Sequence, residues 1–426
     1  MDLAPEGIPN PMTAAEQREY YELLTLFADT LDQVERNYVR EVSRRELMEA
    51  AIQGLLSKLD EHSDYIPPEQ LDSFRTGVES EFGGIGIRVG VIDGRLTVIT
   101  PLLGTPAYRA GIQAGDQIVK IGDAAAEGMA LEDAIQRMKG RIGTELELTV
   151  RHKANGPTET LKLQRELVRM ETVLGVRRQA DDAWDFQLLA DPRIAYLRIS
   201  SFSRQTHEDL QVALETLTRG PTPLRGLVLD LRFNPGGLLS SAIQVADLFL
   251  ERGTIVSTVG RNIAPRTWAA REEGTFGDFP MVVLVNHYSA SASEIVAACL
   301  QDHQRAVVIG ERTWGKGSVQ NIIELEGGQS ALKLTTAGYQ RPSGKNIHRF
   351  EGATEADDWG VRPDEGFLLP LEPADMRRLL SVQQTQEILA PKPPSDAVAP
   401  PDADRDRALQ EDTQLQKALE YLKAKT

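Results

Sequence analysis

The sequence predicts a multidomain α+β protein, in which an α/β core and a smaller strand-rich domain lie between helical N- and C-terminal regions. Its 426 residues are enough for two to four domains. Apolar residues recur at helical spacing near both ends, whereas short apolar runs separated by glycines fill the middle. We therefore divide the chain into residues 1–77, 78–167, 168–374 and 375–426.

The first 77 residues are predicted to be mainly helical. Apolar side chains between Leu23 and Tyr38 fall on one helical face, and Thr13 is followed by Glu16 at the spacing of a capping box. A second helix begins at Ser43, with Glu46 in the same relation. Residues 1–12 are rich in proline and predicted to be loose. Amphipathic helices of this kind are typical of packing or self-association surfaces.

The next segment is predicted to be rich in strands. It opens with "FGGIGIRVGVIDGRLTVITPL", in which an Asp-Gly pair predicts a hairpin. A short helix at 106–110, a strand at 117–121, a helix at 131–138 and a strand at 145–151 follow. This order resembles a PDZ domain. The resemblance places that family's carboxylate-binding loop at Phe82, Gly83, Gly84, Ile85, Gly86 and Ile87.

Glycines in such a loop let backbone N–H groups point at an anion, and the adjoining strand edge can accept an extended peptide. The alternative, in which these glycines only form a tight turn, stays open.

From about residue 185 the pattern becomes α/β. Near-continuous apolar runs such as "GLVLDLRF", "MVVLVN" and "AVVIG" are typical of buried parallel strands, and "SASEIVAACLQDH" is typical of a helix. After Asp375 we predict an amphipathic stretch, a Pro-rich linker at 391–401 and a charged helix to Lys423.

Charge and composition exclude several classes of partner. A net charge of −16 argues against binding to nucleic acid, which requires a basic face. The single cysteine, Cys299, excludes an intrachain disulfide and a cysteine-based zinc site, and it is predicted to be a core residue. No run of 18 apolar residues predicts a transmembrane segment, and the N-terminus does not read as a signal peptide. We expect no metal and no cofactor, because no cluster has metal-ligand spacing.

A lysine loop is the first candidate site. Gly310, Gly315 and Lys316 fit the start of a phosphate-binding loop, but Gly317 stands where the metal-binding hydroxyl should be. The residues that follow read as a strand instead of the helix that such a loop requires. We therefore interpret Lys316 as a general base, which needs a nucleophile within reach.

Serines that could supply this nucleophile occur 25 residues upstream of the lysine. Ser289, Ser291 and Ser293 open the predicted helix after a buried strand. The N-terminus of that helix offers N–H groups for an oxyanion. A second set of donors can come from Gly236 and Gly237, which open another helix after a buried strand.

The motifs "NPGG", "SASASEI", "QDHQRAVVIGERTWGKGSVQ" and "LKLTTAGY", in that order behind a PDZ-like segment, resemble the carboxyl-terminal processing peptidases, or tail-specific serine proteases. "KLDEHSDYIPPEQ" and "WGVRPD" also match, and the resemblance covers about residues 16–370. It implies a ClpP/crotonase-like protease core. It further implies Ser291 as nucleophile, Lys316 as general base and Gln320 as the group that orients the lysine. The oxyanion hole would combine the N–H of Ala292 with that of Gly236 or Gly237.

Other residues near these motifs are expected to have structural roles, with one catalytic alternative. A histidine base would have to be His287, four residues before Ser291, although we expect it to line the cleft. The remaining expectations are helix capping and packing for Ser289 and Ser293, a first-turn position for Glu294, a helix-end pair of Asp302 with Arg305, and a strand-helix corner held by Asp230 and Arg232.

The resemblance implies a serine endopeptidase that starts near the exposed C-termini of protein or peptide substrates. The PDZ-like segment would recognise the substrate or gate the site. The family resemblance also implies a periplasmic or otherwise exported location, homo-oligomers built from the terminal helices and a possible adaptor protein. The competing hypothesis is a catalytically inactive peptide-binding scaffold, against which stands the presence of Ser291, Lys316 and Gln320.

Overall fold

The computed structural model describes residues 12–71, 74, 81–152, 156–179, 181–389 and 411–425. The predicted Pro-rich linker and nearly all of the predicted loose N-terminal segment lie outside these residues. The chain divides into two compact units. The first takes Met1–Arg75, Ser257–Thr267 and Gly317–Gln340, and the second takes Thr76–Val256, Trp268–Lys316 and Arg341–Thr426. Among the described residues, no helix has the length and apolar character needed to cross a membrane.

The helices, numbered in chain order, are α1 (Ala14–Asn37), α2 (Arg44–Leu56), α3 (Pro106–Arg109), α4 (Leu131–Met138), α5 (Thr206–Arg219), α6 (Leu239–Asp247), α7 (Ala292–Asp302), α8 (Pro373–Gln386) and α9 (Thr413–Lys425). A 3₁₀ turn spans Glu326–Gly328.

The strands are β1 (Asp64–Ile66), β2 (Glu81–Gly84), β3 (Ile87–Ile92), β4 (Arg95–Pro101), β5 (Gln117–Ile121), β6 (Ala124–Ala125), β7 (Glu145–Arg151), β8 (Thr158–Gln164), β9 (Glu166–Arg169), β10 (Val173–Leu174), β11 (Arg177–Arg178), β12 (Trp184–Asp185), β13 (Gln187–Leu188), β14 (Asp191–Ile199), β15 (Gly226–Asp230), β16 (Thr254–Val259), β17 (Arg266–Ala269), β18 (Met281–Val285), β19 (Val307–Gly310), β20 (Ser318–Leu325) and β21 (Ser330–Gln340).

The first unit combines α1 and α2 with an antiparallel sheet. The capping box at α1 is confirmed, because the Thr13 N–H donates to Glu16 Oε2 at 2.7 Å and the Glu16 N–H donates to Thr13 Oγ1 at 3.3 Å. The second predicted capping box is wrong: Ser43 stands at the N-cap of α2, but its side chain makes no capping bond. There the first turn closes through the backbone, with the Leu47 N–H on the Ser43 carbonyl. The sheet runs β1-β21-β16-β17, and β20 pairs with β21.

The strand-rich segment of the second unit has the predicted order of elements. Its main sheet runs β3-β4-β5-β7-β8, so β3 is an edge strand among the residues described. The predicted hairpin turn is present between β3 and β4, with both Asp93 and Gly94 in the left-handed region that a type I′ turn requires. Strands β5 and β7 and helix α4 match their predicted bounds, and α3 ends one residue earlier than predicted.

The α/β core of the second unit is built on parallel strands. Strands β14, β15, β18 and β19 pair in parallel, and every residue of β15 and β18 is buried. Helix α6 follows the corner after β15, and α7 follows the corner after β18. Both corners therefore lie at the carboxyl ends of neighbouring strands, the edge where sites form in such sheets. Helix α9 packs against this sheet with Leu415, Ala418, Leu419 and Leu422.

A buried ion cluster fixes the start of α9 to the corner after β15. The Arg232 guanidinium donates to the carboxylates of Asp230 and Asp412 and to the side-chain oxygen of Gln414, over distances of 2.6 to 3.0 Å. Arg232, Asp230 and Asp412 are almost completely buried. Burial alone would lower the pKa of Arg232, but the two carboxylates raise it well above its usual range. The expectation that Asp230 and Arg232 hold this corner is confirmed.

The helix-end pair that the sequence suggested does not form. Asp302 accepts hydrogen bonds from the guanidinium of Arg341. The Arg305 guanidinium instead donates to the backbone carbonyls of Phe249, Phe276 and Phe279. Cys299 is buried in α7, as predicted for a core residue.

Candidate active site

Ser291, the last residue before α7, has a strained backbone. Ser291 is the N-cap of α7 and has φ 56° and ψ −112°. A left-handed φ costs a side chain with a Cβ about 1–2 kcal/mol, and such strain concentrates at functional sites. A serine on a sharp strand-to-helix turn is also the geometry that exposes a nucleophilic hydroxyl in α/β-hydrolases.

The two strand-helix corners are joined by hydrogen bonds. The carbonyl of Asn234 accepts from the Ala290 N–H and from the Ser293 hydroxyl, each at 3.0 Å. The hydroxyl of Ser289 donates to the Leu231 carbonyl at 2.8 Å. Ser289 and Ser293 are fully buried, which leaves Ser291 as the partly exposed member of the three serines.

The glycines of "NPGG" lie directly beside the middle serine. A Cβ built on Gly236 would stand 2.8 Å from Ser291 Cβ and 3.0 Å from the Ala292 nitrogen, so this position requires glycine. The Gly236 N–H donates to the side-chain oxygen of Asn234 at 2.8 Å. By contrast, the N–H groups of Gly237 and Ala292 donate no hydrogen bond to any residue that the structure describes.

A buried carboxylate connects the serine turn to the lysine loop. Oε2 of Glu294 accepts the N–H groups of Ser291 and Lys316, both at 2.8 Å, and Oε1 accepts the Gly315 N–H at 2.7 Å and the Thr313 hydroxyl at 2.5 Å. The amide nitrogens of Ser291 and Lys316 are therefore no farther apart than the sum of two hydrogen bonds. Glu294 thus does more than occupy the first turn of α7, which was the expectation from sequence.

The environment of this carboxylate has two opposing effects on its protonation. Complete burial raises the pKa of Glu294 from its ordinary 4.5 to about 7, against the lowering effect of its four hydrogen bonds. All four partners act as donors, an arrangement that suits the ionised carboxylate. Sequence reasoning missed this role, although a signal was present: Glu294 is the one charged residue within "SASEIVAACL", and a buried charge must be paired.

The lysine loop is held in place by close packing. Gly315 has φ +89°, and a Cβ there would lie 2.7 Å from Arg349 Cβ and 3.0 Å from the Trp359 ring. Its carbonyl accepts the Arg349 N–H at 2.8 Å. The glycine before Lys316 therefore lets the backbone pass through a space that no side chain could share.

Gln320 belongs to the first unit, where a short chain of polar groups holds its side chain. Its amide donates to the hydroxyls of Ser318 at 2.8 Å and Thr335 at 3.3 Å. The Thr335 hydroxyl donates in turn to Asp60 at 3.2 Å. Asp60 and Ser63 come from the "DEHSDY" motif, and the Ser63 hydroxyl also donates to Asp60. The sequence singled out this motif but gave it no role.

His287 lies at the end of β18 with a carboxylate of its own. Its Nδ1 lies 2.7 Å from Oε2 of Glu311, and the imidazole is about half exposed. No hydrogen bond joins His287 to Ser291 within the described residues. His287 thus has the orienting carboxylate that a catalytic-triad histidine requires, but it lacks the hydrogen bond to the serine hydroxyl.

Of the six residues predicted to form the carboxylate-binding loop, Phe82, Gly83 and Gly84 lie in β2, which pairs with β9, and Ile87 begins β3. Ile85 and Gly86 form the loop between these strands, and their carbonyl groups hold it in place. The Ile85 carbonyl accepts the Ala107 N–H, and the Gly86 carbonyl accepts the Leu102 N–H and the Thr105 hydroxyl. Gly86 has φ +77°, and a Cβ there would meet the Thr105 side chain at 2.3 Å. This loop leads directly into the edge strand β3, along which an extended peptide could pair.

Two family models match the chain. The model of peptidase family S41 matches residues 193–365, and the model of the PDZ domain matches residues 74–151. The first range contains both strand-helix corners and the lysine loop. The second contains the glycine-rich loop and the strands that follow it.

The chain is also similar to individual proteins. The carboxy-terminal-processing protease of Bartonella bacilliformis is 39% identical over 359 residues, which are 83% of this chain and 77% of that protein. The carboxyl-terminal-processing protease of a Synechocystis species is 34% identical, over 79% of this chain and 75% of that protein. Among solved structures, a photosystem II D1 C-terminal processing protease is 28% identical with a TM-score of 0.44, over 86% of this chain and 99% of its own.

Proposed function

The chain belongs to peptidase family S41, and from this premise we propose that it is a serine endopeptidase in which Ser291 and Lys316 carry the reaction near the C-termini of its substrates. The observation that supports these two residues best is the Glu294 carboxylate, which accepts both of their N–H groups beside a strained serine backbone. The relatives at 39% and 34% identity are named for processing at the carboxyl terminus.

The proposed reaction has two stages. Lys316 in its neutral form takes the proton of the Ser291 hydroxyl as the oxygen attacks a peptide carbonyl, and the lysine then gives that proton to the leaving amine. Water next attacks the acyl-serine in the same way and releases the new C-terminus. Gln320 orients the lysine, and its own hydrogen bonds to Ser318 and Thr335 limit its freedom to move.

The proposed oxyanion hole consists of the N–H groups of Ala292 and Gly237. The sequence left Gly236 and Gly237 as alternatives for the second donor. The Gly236 N–H already donates to Asn234, which favours Gly237. Ala292 is the first residue of α7, where the helix dipole adds to the stabilisation of a negative oxygen.

The test is a set of single substitutions assayed on an unfolded protein with an apolar C-terminus. Ser291→Ala and Lys316→Ala should each lower kcat/KM by at least about a thousandfold, because nucleophile and base act as one unit. Gln320→Ala should lower kcat less than Lys316→Ala. His287→Ala is the control for the histidine alternative and should stay close to wild type. If Ser291→Ala or Lys316→Ala keeps near-normal cleavage while folded, the proposed mechanism is wrong.

The PDZ domain is proposed to bind the substrate's terminal carboxylate at the segment from Phe82 to Ile87, which comprises the end of β2, the loop residues Ile85 and Gly86, and the first residue of β3. Support comes from the edge position of β3 and from the left-handed backbone of Gly86, which only glycine can adopt in that space. Binding there would hold an extended tail close to the protease core and raise its effective concentration. Gating of the site by the same domain is the alternative that the sequence left open.

Self-assembly is proposed through α1, with an exported location and a possible adaptor as further parts of the proposal. No residue of α1 is buried, although Leu23, Leu26 and Phe27 are large apolar side chains. Sedimentation of the full chain and of a variant with these three residues changed to serine would test this step. A matching monomer mass for both would contradict it.

A further inference from the structure

Two aromatic residues lie in the strand-helix corners that carry the proposed reaction. Phe233 precedes Gly236 by three residues in one strand-helix corner, and Tyr288 precedes Ser291 by three residues in the other. Their rings are stacked, with centroids 5.7 Å apart and an angle of 24° between the planes. Because Gly236 lies against Ser291 and the Asn234 carbonyl accepts the Ser293 hydroxyl, the two corners that carry the aromatic pair meet at the reacting serine.

One buried amide holds both aromatic residues. Oδ1 of Asn286 accepts the Phe233 N–H at 3.0 Å and the Tyr288 N–H at 3.1 Å. Asn286 is itself fully buried, and its backbone N–H donates to the Ser289 hydroxyl. The pair is therefore fixed to the corners that position the serine and the glycines, and it forms a rigid surface.

The backbone of Phe233 points to a role beyond packing. Its φ of 60° lies in the left-handed region, which a phenylalanine adopts only with strain and a glycine adopts freely. Tyr288 leaves 48% of its surface exposed, so this pair is not filling the core. A strained, partly exposed aromatic side chain beside reacting groups supports the hypothesis of a functional contact.

We propose that the Phe233–Tyr288 pair is a specificity subsite that receives an apolar substrate side chain next to the scissile bond. Flat aromatic faces favour aliphatic and aromatic groups and offer no partner to a carboxylate. A third aromatic residue, Trp314, lies in the lysine loop and has an exposed side chain. Its backbone N–H donates to the Ser289 carbonyl. Each of the three segments of the site thus contributes one aromatic residue. The inference rests on the proposed function of Ser291 and Lys316.

The test compares peptides that differ at one residue on either side of the cleaved bond. In one series of internally quenched peptides, the residue before the cleaved bond is leucine, alanine, serine or aspartate, and in a second series the residue after that bond is varied in the same way. The ratio kcat/KM is measured for wild type, Phe233→Gly and Tyr288→Ala. Phe233→Gly is informative because it removes the ring and the backbone strain together, so folding should not suffer. Tyr421→Ala is the matched control, since it removes one ring of the Phe367–Tyr421 pair elsewhere in the same unit.

We expect wild type to prefer leucine over serine at one of the two positions, and Phe233→Gly and Tyr288→Ala to reduce that preference at least fivefold. Tyr421→Ala should keep the wild-type preference. Equal losses of kcat/KM for all four peptides, or an unchanged preference, would overturn the subsite. Ser291→Ala is assayed with the same peptides, and cleavage by that variant would overturn the proposed mechanism. If Ser291→Ala is inactive while Phe233→Gly and Tyr288→Ala keep the wild-type preference, the subsite alone is overturned.

Discussion

Replacement of Glu294 by glutamine should disconnect the serine turn from the lysine loop. The carboxylate has two donors on each oxygen: the Thr313 hydroxyl and Gly315 N–H on one, and the Ser291 and Lys316 N–H groups on the other. A glutamine keeps one oxygen and places an NH₂ group at the other position. That NH₂ must face at least one N–H group, which loses its acceptor in a site that excludes water.

The magnitude follows from these contacts. A buried donor left without an acceptor costs about 1–3 kcal/mol, and the remaining bonds weaken because their acceptor is no longer charged. We expect a loss of about 2–4 kcal/mol in the free energy of unfolding, or roughly 3–6 °C in Tm for a unit of this size. A displacement of about 1 Å between nucleophile and base can lower the rate about a hundredfold. Glu294→Gln should therefore lower kcat far more than it raises KM.

The assay measures kcat and KM at pH 8.5, where the Glu294 carboxyl is ionised, and Tm by calorimetry. Thr313→Ser is the control, since it keeps the hydroxyl that donates to Glu294 and should stay close to wild type. Wild-type kcat and Tm in Glu294→Gln would refute the reasoning. A lowered Tm with unchanged kcat would assign the carboxylate to stability alone.

Four further predictions follow from buried groups and from a glycine. The pKa of about 7 at Glu294 predicts that kcat/KM rises through pH 7 as the carboxyl ionises, and that Glu294→Gln lacks this rise in a pH-rate profile. Because this folded-state pKa lies above the ordinary 4.5, the group favours folding most below pH 4.5, and about 3 kcal/mol is lost as the pH rises to 7, measurable by urea unfolding. Gly86→Ala should weaken binding of a C-terminal peptide to the serine-inactivated chain at least tenfold by fluorescence anisotropy, whereas Gly94→Ala, which meets no atom within 4 Å, should not. Asp412→Asn places an NH₂ group against the buried Arg232 guanidinium and should lower the free energy of unfolding by about 3–5 kcal/mol in denaturant titrations.

Local sequence patterns were enough to predict many of the secondary-structure elements. Short apolar runs between turn residues predicted β5 and β7 with their exact bounds, and the Asp93-Gly94 pair predicted the turn between β3 and β4. The order of strands, the PDZ domain and the protease core agree with the family that the chain belongs to. The strands and the turn depend on periodicity and turn chemistry, which act over a few residues, whereas the PDZ domain and the protease core were predicted from resemblance to a family.

Contacts between distant segments could not be predicted in the same way. Asp302 finds Arg341 rather than the nearby Arg305, because the partner arrives from a segment 39 residues away. The role of Glu294 depends on a loop about 20 residues further along, on the far side of β19 in the chain. The choice of Ser291, Lys316 and Gln320 came from resemblance and stays a prediction until the substitutions are assayed.

The ion cluster at the start of α9 has a consequence for the enzyme's own tail. Any segment of the peptidase's own chain that becomes extended is a possible substrate. Helix α9 is not extended, because Leu415, Leu419 and Leu422 pack into the core and the residue before its first turn, Asp412, is bound to Arg232. Incubation of the enzyme alone, followed by mass spectrometry, should leave residues 411–425 intact, and should shorten them in Asp412→Asn. The burial that completes the core thus makes this segment a poor substrate. A protease binds its substrate as an extended strand, and residues 413–425 are held in a helix.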